Sequence, residues 1–335
     1  MRAFVTGATG FLGHRVVARL LSAGDTVTAL VRPTSDRSRL ADLDVRIEVG
    51  DLTDPGCGEE AVAAADVVYH LGGRVVAHGS REEFDAVNVE ATARLREAAG
   101  RVGARFVHMS SLGLFDIPQE GMTLTEDASY DPNPELRGHY TRSKLEADRA
   151  CCDAARDGAD VIVVRAARTY GPDHPVQTVF LGRVKRFLAP DRLLVVSSGS
   201  YLIPLCYAEN VADAVVLAGR HSRHTGPVHI LDDPTLDQRR YFATLSKVRN
   251  TPLKVHFLPV GLIAPAVLAV DGLHRLARRR PWSVAHQLLR SGRSAHYPTD
   301  VAQEALGWRP QVDLETALSE SLAPSGREVF RSGTP

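Results

Sequence analysis

The sequence has few of the residues that mark secreted, metal-binding or nucleic-acid-binding proteins. Only four of its 335 residues are cysteines, and they form no C-x-x-C pair: Cys57, Cys151, Cys152 and Cys206. We therefore expect no metal site and a reducing, cytoplasmic environment. Basic and acidic side chains number 40 each, so the formal net charge is zero. With no overall charge to attract a polyanion, we expect no nucleic-acid partner.

Long hydrophobic runs are also missing. The longest apolar stretch, Phe257 to Val270, is interrupted by Pro259, Gly261 and Pro265 and is too short to span a bilayer. A basic segment, 274–280, follows it. We favour a helix that covers an apolar pocket, with contact to a membrane surface as the alternative. The first residues predict a strand rather than a charged and then apolar leader, so we expect no signal peptide.

The most informative segment is the first thirteen residues. Ala3–Val5 predicts a strand, three glycines follow at a spacing of three, and an apolar helical pattern begins after Gly13. Glycine permits tight turns and lets phosphate groups approach the backbone, and a helix N-terminus attracts anions. The segment therefore predicts a pyrophosphate-binding strand–turn–helix unit. A glycine-rich turn without a ligand is the alternative.

Strand-like and helix-like segments alternate over the first half of the chain, which predicts an α/β fold with a doubly wound parallel sheet of the Rossmann type. The predicted strands are 3–5, 27–31, 45–49, 67–71, 105–109 and 161–164, and the predicted helices are 14–23, 58–64, 88–99 and 141–157.

The length permits about two domains. After about Gly171, frequent prolines shorten the predicted elements, which suggests a smaller, discontinuous C-terminal lobe over the ligand-binding edge of the sheet. We predict a dinucleotide-binding domain at 1–172, rejoined by about 200–232. The substrate-binding lobe comprises 173–199 and 233–323, and 324–335 form a tail.

Two segments that follow predicted strands bear on the choice of cofactor. Arg32 stands where an acidic residue often binds the ribose of NAD, and an arginine there suits the 2′-phosphate of NADP(H) instead. NADP(H) is therefore favoured over NAD(H), although a solvated Arg32 with Asp36 restoring a preference for NAD is an alternative. Asp51 can accept a hydrogen bond from the adenine amino group with Leu52 against the ring. It is equally suited to capping the next helix, as is Thr53.

A third group of residues has the composition of an acid–base site. Ser111 ends a predicted strand, and Tyr140 and Lys144 are four residues apart, which places them on one face of a helix. A lysine ammonium near a phenol lowers the pKa of that phenol from about 10. A tyrosine tuned in this way can exchange a proton with an alcohol or carbonyl oxygen. Ser111 can hydrogen-bond the same oxygen.

Over nearly its full length the chain resembles the extended short-chain dehydrogenase/reductase family. The motifs that carry the resemblance are TGATGFLG at 6–13, GDLT at 50–53, YHLG at 69–72, NVEAT at 88–92, the serines at 110 and 111, YTRSK at 140–144, RAARTYGP at 165–172, YAENVADA at 207–214 and ALGWRP at 305–310.

The resemblance implies that Ser111, Tyr140 and Lys144 form the catalytic triad, that Asn88 is a structural and proton-relay neighbour, and that the protein is a homodimer through the helices at Asn88 and Thr141. The cofactor-binding residues predicted together with it are Gly7, Thr9, Gly10, Phe11, Leu12, Gly13, Arg32, Asp51, Leu52, Leu71, Gly72, Tyr140 and Lys144.

Three positions depart from the family pattern. Ala166 replaces a proline, Gly73 replaces an alanine and can widen the nicotinamide pocket, and Arg168 replaces a small or polar residue. Arg168 either contacts a carboxylate or phosphate of the substrate or pairs with a nearby acid. His139, beside Tyr140, either touches substrate or simply begins the helix.

Within the family, the segment Gly72–Ser80 and the apolar stretch 253–276 resemble the 3β-hydroxysteroid dehydrogenase-like branch. We therefore predict an NADP(H)-dependent oxidoreductase acting on a secondary alcohol or ketone of an apolar, lipid-, polyketide- or terpenoid-like substrate. A nucleotide-sugar epimerase with tightly bound NAD and a non-catalytic NADP-binding sensor are the alternatives.

Overall fold

A computed structural model describes residues 1–75, 78–117, 119–174, 185–189, 191–220, 223–250, 252–259 and 293–323, together with seven positions between 261 and 272. The predicted tail at 324–335 and the basic segment at 274–280 lie outside the described residues. Within the described part of the chain, no helix is both long and apolar enough to cross a membrane.

The described residues form a main sheet of seven parallel strands. The strands are β1 (Arg2–Thr6), β2 (Thr26–Val31), β3 (Arg46–Val49), β4 (Val67–His70), β5 (Arg105–Ser111), β7 (Val161–Ala166) and β12 (Gly226–Ile230). Their order in the sheet is β12-β7-β5-β4-β1-β2-β3. All except β12 match the six strands predicted from the sequence.

Helices cover both faces of this sheet, which confirms the predicted doubly wound fold. The helices with defined bounds are α1 (Gly13–Ser22), α2 (Glu59–Ala63), α3 (Arg81–Asp85), α4 (Ala91–Val102), α5 (His139–Arg156), α6 (Ala208–Arg220), α7 (Gln238–Val248), α8 (Asp300–Leu306) and α9 (Leu314–Leu322). Of these, α7 and α9 pack in a separate apolar cluster. A π-helical turn, Ala86–Glu90, joins α3 to α4.

The alternation of side chains along each strand produces two separate apolar cores. In β1, Val5 packs on one face with residues of α1 and α6. Phe4 packs on the opposite face with residues of α2, α4 and α5. Every residue of β7 is buried, as expected for a central parallel strand covered on both sides.

Smaller sheets and a third apolar cluster lie mostly in the second half of the chain. The small sheets are β13-β10-β9, β11-β8 and β14-β6. Their strands are β6 (Met122–Thr123), β8 (Arg168–Tyr170), β9 (Lys185–Ala189), β10 (Arg192–Val196), β11 (Leu205–Tyr207), β13 (Lys254–Leu258) and β14 (Ala295–His296). Leu193, Phe242 and Leu318 belong to the third cluster. The domain boundaries proposed from the sequence remain a prediction.

Candidate dinucleotide and acid–base site

The glycine-rich turn after β1 is shaped by close contacts between backbones. Gly7 has a φ of +71°, a conformation that favours glycine. A Cβ atom on Gly7 would lie 2.7 Å from the amide nitrogen of Gly72. On Gly13 it would lie 2.0 Å from the Gly7 carbonyl oxygen. Two of the three glycines therefore let the turn pack against both β4 and α1.

Gly10 is the solvent-exposed glycine of the turn. A Cβ atom there would meet only the Gly7 carbonyl oxygen, at 3.0 Å. Helix α1 starts at Gly13 with no side-chain cap and with no acidic residue in its first turn. This combination of open space and an uncapped helix N-terminus fits an anion such as a dinucleotide pyrophosphate. Thr9, Phe11 and Leu12 are half-buried along the same turn.

The ends of the neighbouring strands meet this turn. The amide of Gly72 donates a hydrogen bond to the hydroxyl oxygen of Thr6 at 3.0 Å, and the Leu71 amide donates to the Thr6 carbonyl. A Cβ atom on Gly72 would lie 2.7 Å from Cδ1 of Leu52. The structure thus brings Leu52, Leu71 and Gly72 together with Gly7. Their contact with a cofactor stays a prediction.

Arg32 lies directly after β2, at the carboxyl edge of the sheet. Its side chain is exposed. Asp36 accepts hydrogen bonds from the Ser38 amide at 2.9 Å and from the Ser38 hydroxyl at 3.0 Å. Asp36 is therefore engaged within its own loop. Binding of a 2′-phosphate by Arg32 stays a prediction.

Asp51 is engaged in a local turn. Its Oδ1 atom accepts hydrogen bonds from the amide and the hydroxyl of Thr53, both at 2.9 Å. This is a local turn of the kind that aspartate favours. The alternative that Asp51 or Thr53 caps the next helix is wrong, because α2 begins after Gly58 and has no side-chain cap. A contact with adenine through the remaining carboxylate lone pairs stays a prediction.

The acid–base residues lie where β5 ends and α5 begins. Ser111 is the last residue of β5, and its Oγ atom accepts a hydrogen bond from the Gly113 amide at 3.0 Å. Lys144 is buried, and its Nζ atom donates to the Met109 carbonyl at 2.6 Å. This bond fixes the face of α5 that carries Lys144 against the end of β5.

The pKa values in this group differ from the expectation. Burial raises the pKa of the Tyr140 phenol, which is opposite to the lowering that the sequence predicts from Lys144. Burial also lowers the pKa of Lys144 to about 8. Both shifts have the same cause, because a site of low polarity disfavours the charged form of either group.

Asn88 connects the end of β4 to α5. Its Oδ1 atom accepts from the Arg74 amide at 2.8 Å, and its Nδ2 atom donates to the Arg74 carbonyl at 3.1 Å and to Ser143 Oγ at 2.9 Å. Ser143 in turn donates to the carbonyl of Tyr140 at 3.0 Å. Asn88 therefore holds the segment after Gly72 next to the start of the tyrosine-bearing helix.

A buried ion pair behind Ser111 was not predicted from the sequence. Asp148 accepts hydrogen bonds from the Arg165 guanidinium, with the shortest at 2.7 Å, from Tyr130 at 2.6 Å and from the Ser110 hydroxyl. Asp148 follows Lys144 by four residues, which places both on one face of α5. This spacing is the feature of the sequence that could have pointed to Asp148 as part of the site.

Three further residues singled out in the sequence are Arg168, His139 and Gly73. Arg168 begins β8 with an exposed side chain. His139 is the first residue of α5, and its ring centroid lies 6.2 Å from that of Phe84. A Cβ atom on Gly73 would meet only Asn88 Oδ1, at 3.2 Å, so the missing methyl group leaves space beside the Asn88 amide.

Fold and site together define a dinucleotide-binding α/β protein of the Rossmann type. A family model described as the NAD dependent epimerase/dehydratase family matches residues 3–231. The chain belongs to this family, and it is an NAD(P)-dependent enzyme of the extended short-chain dehydrogenase/reductase superfamily. The family predicted from the motifs is thereby confirmed.

Two curated relatives match almost the whole chain. The 3-diazoavenalumate denitrifying reductase of a Streptomyces species is 31% identical over 319 residues, which cover 92% of this chain and 96% of that protein. The 4-hydroxy-2-methyl-3-oxo-4-farnesyl-3,4-dihydroquinoline-1-oxide ketoreductase of Stigmatella aurantiaca is 26% identical over 336 residues, 98% of each chain.

The fold is also shared with solved structures. UDP-glucuronic acid 4-epimerase from Bacillus cereus in complex with NAD matches with a TM-score of 0.70 and 18% identity, covering 96% of this chain and 97% of that one. At this identity the likeness concerns the fold alone. The relatives and the family together establish an NAD(P)-dependent oxidoreductase or epimerase that acts on a small molecule.

Proposed function

We propose that the protein is an NADP(H)-dependent ketoreductase or alcohol dehydrogenase in which Tyr140, Lys144 and Ser111 carry out acid–base chemistry. The observation that carries this proposal is the hydrogen bond of 2.6 Å between Lys144 Nζ and the Met109 carbonyl. It brings the helix face that contains Tyr140 to the strand end that contains Ser111.

Each residue has a role that its contacts support. Ser111 Oγ accepts the Gly113 amide proton, which leaves its own hydroxyl proton free to bind a substrate oxygen. The Lys144 ammonium has three protons, of which one is held by Met109. The other two are suited to the ribose hydroxyls and to the Tyr140 oxygen.

In the reductive direction, the Tyr140 hydroxyl gives its proton to the carbonyl oxygen while that oxygen gains charge, and Ser111 stabilises the same oxygen. In the oxidative direction, Tyr140 takes the proton back from the alcohol. The bound nicotinamide supplies or accepts the hydride at the adjacent carbon. Burial keeps Tyr140 protonated, which is the form that the reductive direction requires.

The test of the acid–base assignment is Tyr140→Phe. We expect turnover to fall at least about 100-fold, as when a general acid is removed, while NADPH still binds. Tyr69→Phe is the matched control, because its buried hydroxyl has no hydrogen-bond partner among the described residues. Full activity of Tyr140→Phe in a screen of ketones with NADPH would refute the assignment.

The preference for NADP(H) is proposed from Arg32, whose exposed guanidinium has no hydrogen bond or ion pair with the described residues. Arg32→Asp should weaken NADPH binding by at least about tenfold with little change for NADH, because a phosphate contact is replaced by like-charge repulsion. Arg46→Asp is the control, since Arg46 is an exposed residue at the start of β3, paired in register with Thr28 rather than with the end of β2. Tighter binding of NADH than of NADPH by the wild type would refute the proposal.

An apolar substrate is supported by the farnesyl-bearing substrate in the name of the Stigmatella ketoreductase. It is supported also by Leu262 and Leu268, whose side chains are 71% and 50% exposed within the apolar stretch. A screen of terpenoid, polyketide and steroid ketones tests this class. Co-purified NAD with turnover of UDP-sugars would instead support an epimerase.

Homodimerisation through α4 and α5 is proposed from the family resemblance. The exposed positions of the two helices are mostly charged: Glu97, Arg101, Arg149, Asp153 and Arg156. Such a surface predicts a polar interface that weakens at high salt. Light scattering at low and high salt measures this, and a monomer under both conditions would contradict the proposal.

A further inference from the structure

A chain of hydrogen bonds runs through the core between the glycine turn and Asn88. Thr6 Oγ1 lies 2.8 Å from His70 Nδ1, and His70 Nε2 lies 2.9 Å from Thr92 Oγ1. Thr92 Oγ1 donates to the Asn88 carbonyl at 2.7 Å. The side chain of His70 is almost completely buried. This chain of hydrogen bonds therefore crosses from β1 to α4 without contact with water.

The number of protons available fixes the state of the imidazole. Thr92 has one hydroxyl proton, which it gives to the Asn88 carbonyl, so it accepts the proton of His70 Nε2. Burial lowers the pKa of His70 to about 3, so the ring is neutral at ordinary pH. Its Nδ1 atom is therefore unprotonated and accepts from the Thr6 hydroxyl. The Thr6 oxygen in turn accepts from the Gly72 amide. Every proton points in one direction, and His70 is the neutral Nε2–H tautomer.

Each end of this chain reaches part of the proposed site. Thr6 directly precedes Gly7 and binds the Gly72 amide. The Asn88 carbonyl lies in the π-helical turn, where the Ala91 amide bonds to the Ala86 carbonyl five residues back. The Thr92 hydroxyl thus supplies a donor to a carbonyl in an irregular part of the helix. Asn88 in turn contacts Ser143 in the tyrosine-bearing helix.

We propose that His70 is a positioning residue that couples the glycine-rich dinucleotide turn to Asn88 and α5 through Thr6 and Thr92. This inference rests on the proposed function for its effect on turnover. The coupling itself depends only on the fold. Breaking it should weaken cofactor binding whether or not Tyr140 is the general acid. Loss of the Nδ1 bond leaves the buried Thr6 hydroxyl proton without an acceptor, and loss of the Nε2 bond removes the donor to the Thr92 hydroxyl oxygen. Either loss frees the two ends to shift.

The protein contains a matched control for His70 in a second buried histidine. His108 is the register partner of His70 on the adjacent strand, is equally buried, and its ring centroid lies 5.8 Å from that of His70. Its two ring nitrogens have no hydrogen-bond partner among the described residues. His70→Phe and His108→Phe therefore make the same steric change in neighbouring sites, but only the first breaks the chain.

The first experiment measures NADPH binding by fluorescence titration and turnover with a ketone from the screen. We expect His70→Phe and Thr92→Val each to weaken NADPH binding and to lower kcat by about tenfold. Thr92→Ser, which keeps the hydroxyl, should bind NADPH and turn over like the wild type. The double variant His70→Phe/Thr92→Val should lose no more affinity or kcat than either single variant. Equal effects of His70→Phe and His108→Phe, or no rescue by Thr92→Ser, would overturn the proposal.

The second experiment does not depend on activity. Protein labelled with ¹⁵N-histidine reports the tautomer of each ring by NMR, and His70→Phe assigns the signal. We expect a neutral imidazole with the proton on Nε2 throughout pH 5–8. A proton on Nδ1 would refute the coupling even if Tyr140 proves to be the general acid. If the proton is on Nε2 but Tyr140→Phe keeps full activity, the coupling stands and the proposed function fails.

Discussion

The buried ion pair between Asp148 and Arg165 makes a quantitative prediction for stability. The side chains of Asp148 and Arg165 are 0% and 2% exposed, and Arg165 Nη2 lies 2.7 Å from Asp148 Oδ1. Asp148→Asn keeps the shape of the side chain but leaves the guanidinium buried without a counter-charge. Removing one partner of such a pair costs about 3–5 kcal/mol, a large part of the ~5–15 kcal/mol that a folded protein has in total.

The assay is urea unfolding followed by circular dichroism, with two comparison variants. Asp153→Asn breaks a pair of the same chemistry on the same helix, where the Arg156 and Asp153 side chains are 64% and 56% exposed. It should cost less than ~1 kcal/mol. Asp148→Leu combined with Arg165→Met removes both charges and should recover much of the loss. A cost for Asp148→Asn no greater than that for Asp153→Asn would refute the reasoning.

The pH dependence of the same variant provides a second check. Burial opposes ionisation of Asp148, but Arg165 and the hydrogen bonds from Ser110 and Tyr130 outweigh it and lower its pKa. A lowered carboxyl pKa stabilises the fold above the unfolded value of about 3.9, and this contribution disappears as the pH falls through the folded pKa. The difference between wild type and Asp148→Asn should therefore be constant from pH 6 to 8 and shrink below about pH 4.

The remaining predictions concern the glycine turn and Lys144. Gly13→Ala should weaken NADPH binding at least about tenfold and lower the free energy of unfolding by ~1–3 kcal/mol, since its Cβ would lie 2.0 Å from the Gly7 carbonyl oxygen. Gly100→Ala is the control, because a Cβ atom on Gly100 would have no neighbour within 4 Å, and it should stabilise α4 by ~0.5–1 kcal/mol. Equal NADPH affinities for Gly13→Ala and Gly100→Ala would contradict the packing argument. Because burial lowers the pKa of Lys144 to about 8, the unfolded chain binds more protons between about pH 8 and 10.4. Over that range the free energy of unfolding of the wild type should rise relative to that of Lys144→Met, and a constant difference would show that the ammonium is not buried.

Much of the fold could be predicted because its signals are local. Each of the six predicted strands overlaps an observed strand, and helices α1 and α5 start within two residues of the predicted positions. The seventh strand, β12, was not predicted. Its segment contains Gly226 and Pro227, which weaken a strand pattern. Pairing with β7 on one side decides its structure, and such a tertiary contact leaves no local pattern in the sequence.

The candidate site was predictable to the extent that its residues fall into motifs. The glycine turn and the Tyr140–Lys144 pair have fixed spacings along one strand or helix, so their placement follows from local structure. The direction of the Tyr140 pKa shift did not follow, because the spacing gives proximity to Lys144 but not the extent of burial. Burial depends on the packing of α5 against β5, which brings together residues far apart in the chain.

The residues that position the site are dispersed for the same reason. Thr6, His70 and Thr92 come from β1, β4 and α4, and they become neighbours only because β4 lies between β1 and β5 in the sheet. A hydrogen bond between adjacent parallel strands requires the two residues to share a register, as Thr6 and His70 do. The sheet order therefore determines which side chains can couple the glycine turn to α5. A substitution at Thr92, which belongs to neither the turn nor α5, should consequently affect both cofactor binding and turnover.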